Sequence, residues 1–507
     1  MAVINIITKN ADDINGFHAN ITYGQMTKTF ARRNINLSYG KVVNDDFNFT
    51  TSLFLGQGNR SDREYTDLNN DSYDMTDNTQ LNPMNVNINL NYKNFSSRII
   101  VDQYKVSYKN ETSNLLDSVV TMFWNSYFFD MNYNYKINDK LTFTPQFKYK
   151  QQSPWKTPKA TTFVIRNPNN TNYVYDTVAE RYTGNFMLNY DPTEKTNIIA
   201  GIELYNDKAV NNIPGRSTLG GQKEVYYHNI ASYVQGLFDI KIAKLTIGGR
   251  YDNHSVYKPS FVSRIGITKV FEKLHFKLLQ NGSFRAPSIE NIGLNKNVLP
   301  EETTTTEFET GYQFSKKAFL RTNLFNTTIE NPIVYFYNPS TGDESYLNYG
   351  NIKTRGAEVE FDIKDCWGST KLNYSYYTVV ENKVSRYAVP DKNDILLGFA
   401  NHKITLNSSI NVSKKFIMNP SVIYFSERYG YYIYDINGNP VIKKFEPITL
   451  VNLYFNYKDM LWNNFDLGFG VYDIFDSKYE FIQPYDGNHS PLPGPSREVV
   501  VKVSYRY

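Results

Sequence analysis

Cysteine is nearly absent from this chain of 507 residues, with Cys366 standing alone. A single thiol excludes both a disulfide framework and a cysteine-rich metal site. Long apolar runs are missing as well. No stretch approaches the roughly 18 consecutive apolar residues that a membrane-spanning helix needs. A helical membrane protein is thereby excluded, but a β-barrel is not, because its strands carry a much weaker hydropathy signal. Charge of one sign is also lacking. Lys and Arg number 54 against 50 Asp and Glu, a formal charge of +4. With no basic run and no base-stacking motif, nucleic acid is excluded as a partner. The catalytic patterns Gly-x-Ser-x-Gly, the phosphate-binding Walker loop and the zinc signatures do not occur. Paired catalytic carboxylates in context are absent too, so the chain reads as no enzyme. Its six histidines, His18, His228, His254, His275, His402 and His489, are scattered.

What is present is aromatic and alternating. Aromatics make up 16% of the chain, with 42 Tyr and 33 Phe. Both favour strands, and Tyr also favours boundaries with one apolar and one wet side. In NVNINLNYK, Val86, Ile88, Leu90 and Tyr92 oppose Asn85, Asn87, Asn89 and Asn91. In KLTFTPQFKYK, Leu141, Phe143, Pro145, Phe147 and Tyr149 oppose Thr142, Thr144, Gln146 and Lys148. KITLNSSINV and the closing EVVVKVSYRY alternate in the same way. Each run is roughly ten residues, the length of a tilted strand crossing a bilayer.

A soluble sandwich also alternates, so the connections decide. Short polar turns such as KNFSS, KINDK, DPTEK, KIAK, FEKL, SKK and KDCW take turns with long loops. The loops span 58–84, 151–179, 205–222, 284–302, 328–351, 379–401, 426–446 and 476–496. One end of the sheet is trimmed and the other elaborated, as in barrels with short periplasmic turns and long external loops. The expected fold is all-β, a transmembrane antiparallel barrel of about 22 strands in an outer membrane. No fixed 40-residue period suggests propeller blades.

Four stretches resemble one family, the TonB-dependent outer-membrane receptors. FRAPSIENIGLNKNVLPEETTTTEFETGYQF is similar to that family's mid-barrel signature through Phe284, Arg285, Ala286, Pro287, Pro300, Glu301, Glu307, Glu309 and Gly311. LNYGNIKTRGAEVEFDI matches an Asn-x-Gly…Gly-x-Glu-x-Glu pattern at Asn348, Gly350, Gly356, Glu358 and Glu360. VYDIFDSKYEF resembles the Asn-Leu-Phe-Asp-x-x-Tyr segment, with Asp473 in place of Asn. The chain ends like the family's closing strand, on aromatic Tyr507.

The resemblance also interprets the opening MAVINIITK, which has strand composition and none of the features of a secretory signal. It is similar to the last strand of the family's N-terminal plug. Residues 1–13 are expected to be a remnant of that plug and residues 14–507 the barrel, with the first barrel strand at about 14–24. The plug and the box that engages TonB would then lie outside this chain, which by itself would not couple to TonB. A plug from a separate chain, or a barrel without one, are the other options. The function implied is uptake of a scarce chelate, a ferric siderophore or cobalamin, by a monomer in outer-membrane lipid. The alternatives are a plugless passive channel and a β adhesin. Residues 284–302 hold no His, which argues against haem.

Ligand capture by such a receptor suits Arg and Tyr, through charge-assisted hydrogen bonds and flat contact area. The candidates in the long loops are Trp155, Arg166, Tyr173, Arg216, Tyr335, Tyr337, Arg428, Tyr431 and Tyr432. The competing role for these residues is the aromatic girdle. Arg285 and Pro287 read as structural, Pro ending the strand and Arg pairing with a rim carboxylate. By parity Glu358 and Glu360 point into the lumen, towards cations such as Lys502 or Arg506 or towards plug arginines. No cofactor is expected beyond a possible structural Ca²⁺ in DLNNDSYDMTDN. There Asp67, Asn69, Asp71, Asp74 and Asp77 offer hard oxygen ligands. The EF-hand pattern fails, with Ser72 where Gly belongs and Asn78 where Glu belongs.

Overall fold

The computed structural model describes residues 8–110, 115–157, 175–213, 219–338, 343–435, 440–483 and 489–507. Its main sheet holds 23 strand segments, all paired antiparallel. Two of them, Leu115–Tyr133 and Tyr135–Asn138, are one wall strand interrupted at Asn134, since both pair with Leu141–Lys156. The wall therefore has 22 strands, and it is closed. The first strand, Gly16–Gln25, pairs on one side with Phe30–Asn44 and on the other with the last, Glu498–Arg506. Closure removes every open edge, which a bilayer demands because unpaired backbone groups cannot be solvated there.

The seam between the chain ends is tight. Phe17 N–H donates to Tyr507 O and Tyr507 N–H to Phe17 O, each at 2.8 Å. At Gly16, φ is +122° and an added Cβ would overlap the Tyr507 carbonyl, so only glycine serves here. A short helix, Ala11–Ile14, precedes the seam and is N-capped by Asn10.

Alternation sorts the faces as the pattern requires. Leu90 and Tyr92 are 38% and 53% exposed on the outer face. The intervening asparagines bond inside. Asn85 Nδ2 donates to Asp102 (3.1 Å), Asn89 Nδ2 to Thr50 (3.0 Å) and Asn91 Nδ2 to Asn48 (2.9 Å). Outward apolar side chains face lipid and inward polar ones satisfy each other. The strands exceed the roughly ten residues expected. Leu115–Tyr133 has 19 and Glu224–Ile240 has 17. Since about 9–11 suffice to cross a bilayer, the wall extends beyond the membrane on the loop side.

The connections are asymmetric. Hairpin turns of two residues occupy 45–46, 93–94, 139–140, 194–195, 241–242, 316–317 and 366–367. At the other end the long connections are 60–79, 286–300, 331–351, 383–401, 426–447 and 473–497. Among the described residues two connections there, 26–29 and 255–259, are short. The buried apolar clusters sit in and around these loops. One joins Val334, Ile352, Val379, Val384 and Leu396; another joins Tyr257, Ile292, Val298 and Ile333. The wall needs no apolar core because lipid covers its apolar face. The loops do, and these clusters provide it.

Candidate functional site

The mouth of the barrel is built from loops clasped to one another, and the motif residues are the clasps. Strand Leu274–Arg285 ends two residues before Pro287, and Ser288 caps the helix Ile289–Leu294. Arg285 Nη2 donates to Glu301 Oε2 at 2.6 Å and to Ile333 O at 2.9 Å. The same carboxylate oxygen accepts from Ile333 N–H at 3.1 Å. Asn348 closes the next clasp. Its Nδ2 donates to Leu299 O (3.0 Å) and Asn331 O (2.7 Å), while Leu299 N–H donates to its Oδ1 (2.7 Å). At Gly356 an added Cβ would run into the Tyr376 carbonyl and the Phe325 ring. These residues hold the hairpin Ile333–Asn338/Asp343–Asn348 over the loop 286–300.

Glu358 and Glu360 both face the lumen, but their expected partners are corrected. Glu360 pairs with Arg321 and, at 3.1 Å, with Lys371, both on neighbouring strands. Arg506 instead bonds Asp466 at 2.7 Å. Among the described residues Glu358 has no ion pair. The sheet register brings Arg321 opposite Glu360, a proximity that charge alone could not reveal.

In the acidic stretch 67–78, Asp67, Asp74 and Asp77 accept hydrogen bonds from protein donors. Among the described residues no three His, Cys, Asp or Glu side chains converge on one point. Asp67 is buried, and its Oδ1 accepts from Asn69 N–H and Asp71 N–H at 2.9 Å each, shaping a turn. Burial pushes its carboxyl pKa up against those donors. Asp74 accepts from Thr76 and from Lys28 Nζ (2.9 Å), which hold its pKa at about 2. Asp77 accepts from Thr29 Oγ1 at 2.6 Å. Each of these carboxylates is engaged by protein donors.

A hub that the sequence did not flag lies beside this stretch. Buried Asp62 accepts from Lys28 N–H (2.9 Å), Ser496 N–H (3.0 Å) and Ser496 Oγ (2.7 Å). Arg63 Nη2 donates to Asp476 at 2.9 Å, and Ser61 Oγ to Gly494 O at 3.0 Å. These bonds bind loops 26–29, 60–79 and 473–497 together above the seam. No motif announces them, because Asp and Ser in a loop look solvated in sequence.

The proposed ligand contacts fall in three places. Arg428, Tyr431 and Tyr432 share the hairpin Arg428–Tyr434/Pro440–Phe445. Arg428 has Nε and Nη2 shut off from solvent and, among the described residues, without a hydrogen-bond partner. Burial lowers its pKa while Glu480 opposes that. Tyr431 packs on Val389, Ile395 and Leu397. The Tyr432 ring carries Lys443 Nζ 3.9 Å from its centroid and meets Phe445 edge-on. Tyr335 lies on the other hairpin, edge-on to Tyr346, where Arg386 stacks over Phe336 at 4.5 Å. Trp155 stands apart, at the top of strand Leu141–Lys156. Arg166, Tyr173 and Arg216 lie outside the described residues, as does the side chain of Tyr337.

Below the mouth the inner wall carries a polar network that strand alternation could not single out. Arg181 makes two 2.6 Å bonds to Asp207 and stacks 3.9 Å from the Tyr205 centroid. Arg250 bridges Asp252 and Glu203 at 2.7 and 2.8 Å. His254 lies flat on Tyr257, centroids 4.0 Å apart. Chemically, the mouth offers guanidinium and ammonium groups beside flat phenol rings, suited to an anionic ligand with planar surfaces.

Comparison with known proteins agrees with this architecture. Similar folds include the siderophore receptor PirA of Acinetobacter baumannii (TM-score 0.74, 11% identity, covering 99% of this chain and 81% of that one). The ferric enterobactin receptor PfeA of Pseudomonas aeruginosa, as a mutant in complex with enterobactin, gives 0.75 at 12% identity, covering 99% and 83%. The ferric-catecholate import receptor Fiu of E. coli K12 gives 0.72 at 15%, covering 98% and 82%. At these identities the likeness is one of fold. No curated protein matches by sequence. The family profile "TonB dependent receptor-like, beta-barrel" matches residues 12–474, and the chain therefore belongs to the TonB-dependent receptor β-barrel family.

Proposed function

We propose that this protein is an outer-membrane receptor that captures a scarce metal chelate at its external loops. The chelate is of the ferric siderophore or cobalamin class, and TonB drives its passage by acting on a plug within the barrel. The observation that carries this reading is the mouth itself. Arg428, with two guanidinium nitrogens buried and, among the described residues, unpartnered, stands on the same hairpin as Tyr431, Tyr432 and Lys443. A buried, unpaired donor is costly unless something else satisfies it, and an anionic chelate would. Solved neighbours named for ferric enterobactin and ferric-catecholate import support the class. The chain acts as a monomer in outer-membrane lipid, with the short turns on the periplasmic side, and the energy comes from TonB and not from chemistry in the barrel.

The test is uptake of ⁵⁵Fe-labelled chelates by cells lacking their own receptors and expressing the native gene. Saturable uptake that vanishes without TonB is expected. Steady TonB-independent conductance with no saturable uptake would overturn the proposal and favour a passive channel.

A further inference from the structure

At the end of the barrel opposite the mouth, one turn departs from the brevity of the rest. Among the described residues the other short-side connections hold two to four residues, whereas 458–464 holds seven. The added length is spent on Met460, Leu461 and Trp462, which are 46%, 67% and 55% exposed. Turns are ordinarily filled by small polar residues, and a loop core would be buried.

The excursion has a built backbone. Asp459 and Asn464 flank it with φ +49° and +66°, in the left-handed region that Asp and Asn enter more readily than other side chains. Asn464 N–H donates to Asp459 Oδ1 at 2.7 Å, and Met460 N–H to Phe465 O at 2.9 Å. Two further bonds stitch it to the neighbouring turn 412–415. Lys458 N–H donates to Lys415 O (2.8 Å) and Lys415 Nζ to Asp459 O (3.1 Å). The three apolar side chains therefore project from a fixed finger.

Its direction is set by Phe465, whose ring centroid lies 4.6 Å from that of Trp462. Phe465 has the strand parity of Leu467 and Phe469, and Phe469 is 44% exposed on the outer face. The finger thus continues the lipid-facing band instead of closing over the lumen. Cations stand beside it. Lys414 and Lys415 are exposed, and among the described residues neither forms an ion pair. The nearby carboxylates are engaged elsewhere, Asp459 by Asn464 N–H and Asp466 by Arg506 at 2.7 Å.

We infer that the finger 459–464 seats in the phospholipid leaflet on the short-turn side and, with Lys414 and Lys415, prefers anionic headgroups. An amphipathic indole gains at the boundary between acyl chains and headgroups. An exposed lysine near an anionic surface raises the affinity for it about five-fold. A protein partner would need these apolar side chains to face away from lipid, which the contact with Phe465 opposes. The inference rests on the transmembrane barrel and is independent of what the barrel imports.

Quenching by brominated lipids tests it. The full chain is reconstituted in phosphatidylcholine vesicles that contain brominated phosphatidylglycerol or brominated phosphatidylcholine at equal mole fraction. The chain has four tryptophans, so the Trp462 signal is the difference between wild type and Trp462→Phe. Phosphatidylglycerol should quench that signal with a relative affinity about five-fold higher or more. Replacing both lysines, Lys414→Gln and Lys415→Gln, should bring the ratio near one. All three substitutions change exposed side chains, and heat-modifiable migration on gels checks that each barrel has formed. A Trp462 signal quenched by neither lipid overturns the lipid seat and points to a protein partner. Equal quenching by the two lipids in wild type overturns the anionic preference. A wild type that fails to insert overturns the finger together with the transmembrane reading.

Discussion

Removing the Asn348 side chain should open one corner of the mouth and leave the barrel intact. Asn348 ties three backbone groups, Leu299 N–H, Leu299 O and Asn331 O, at 2.7–3.0 Å. A net hydrogen bond contributes roughly 0.5–1.5 kcal/mol, more where a partner is left buried and unpaired. Asn348 is itself half-buried, so water recovers part of the loss. Asn348→Ala should therefore cost about 2–3 kcal/mol of local stability, or roughly 30- to 150-fold more frequent opening at about 1.4 kcal/mol per decade. The wall on either side has its own ladders, with Glu302 paired to Glu330 and Ile329 to Ile352. Hydrogen exchange followed by mass spectrometry should show faster exchange in 286–300 and in the 333–348 hairpin, with wall strands unchanged. Unchanged exchange in both loops would refute the clasp. Faster exchange throughout the wall would refute its independence from the barrel.

Three other outcomes follow from the same geometry. Gly356→Ala pushes a methyl group into the Tyr376 carbonyl and the Phe325 ring, so the folded, heat-modifiable band on gels should weaken by an amount consistent with roughly 1–3 kcal/mol of overpacking. Asp62→Ala removes three bonds across the seam, and limited proteolysis should then cut within 26–29 or 473–497 while wild type resists. Order in these loops should also fall with acid in two windows. Burial lowers the His489 pKa from 6.5 to about 4. The folded state resists that proton, so the contribution is full above pH 6.5 and lost as pH falls towards 4. Asp74, held from 3.8 to about 2 chiefly by Thr76 and then Lys28, contributes above pH about 4 and is lost as pH falls towards 2. Near-ultraviolet circular dichroism should show both steps, and His489→Phe should abolish only the first.

The fold was legible because a wall strand states its two faces residue by residue. Asn85 to Tyr92 alternates in sequence and in space, and so does Leu141 to Tyr149. The alternation of trimmed and elaborated connections carried the barrel's direction. What escaped were features set by register and by loop packing. Trp155 meets Trp124 edge-on because two residues stand opposite Trp124, whereas the sequence pattern placed Ser-Pro-Trp-Lys in the long loop 151–179. Glu360 was placed in the lumen correctly by parity, but its partners Arg321 and Lys371 follow from strand adjacency. The cluster at 67–78 has the composition of a calcium loop because turns and cation sites use the same short carboxylates. Only the geometry shows Asp67 shaping backbone and Asp74 pairing with Lys28.

The central question is whether the mouth binds a chelate. Equilibrium binding of ⁵⁵Fe-labelled chelates to energy-depleted cells that display the protein isolates that step from transport. Saturable binding at submicromolar concentration is expected, lost on Arg428→Ala and independent of TonB. No saturable binding of any chelate class, with wild type and Arg428→Ala alike, would contradict it.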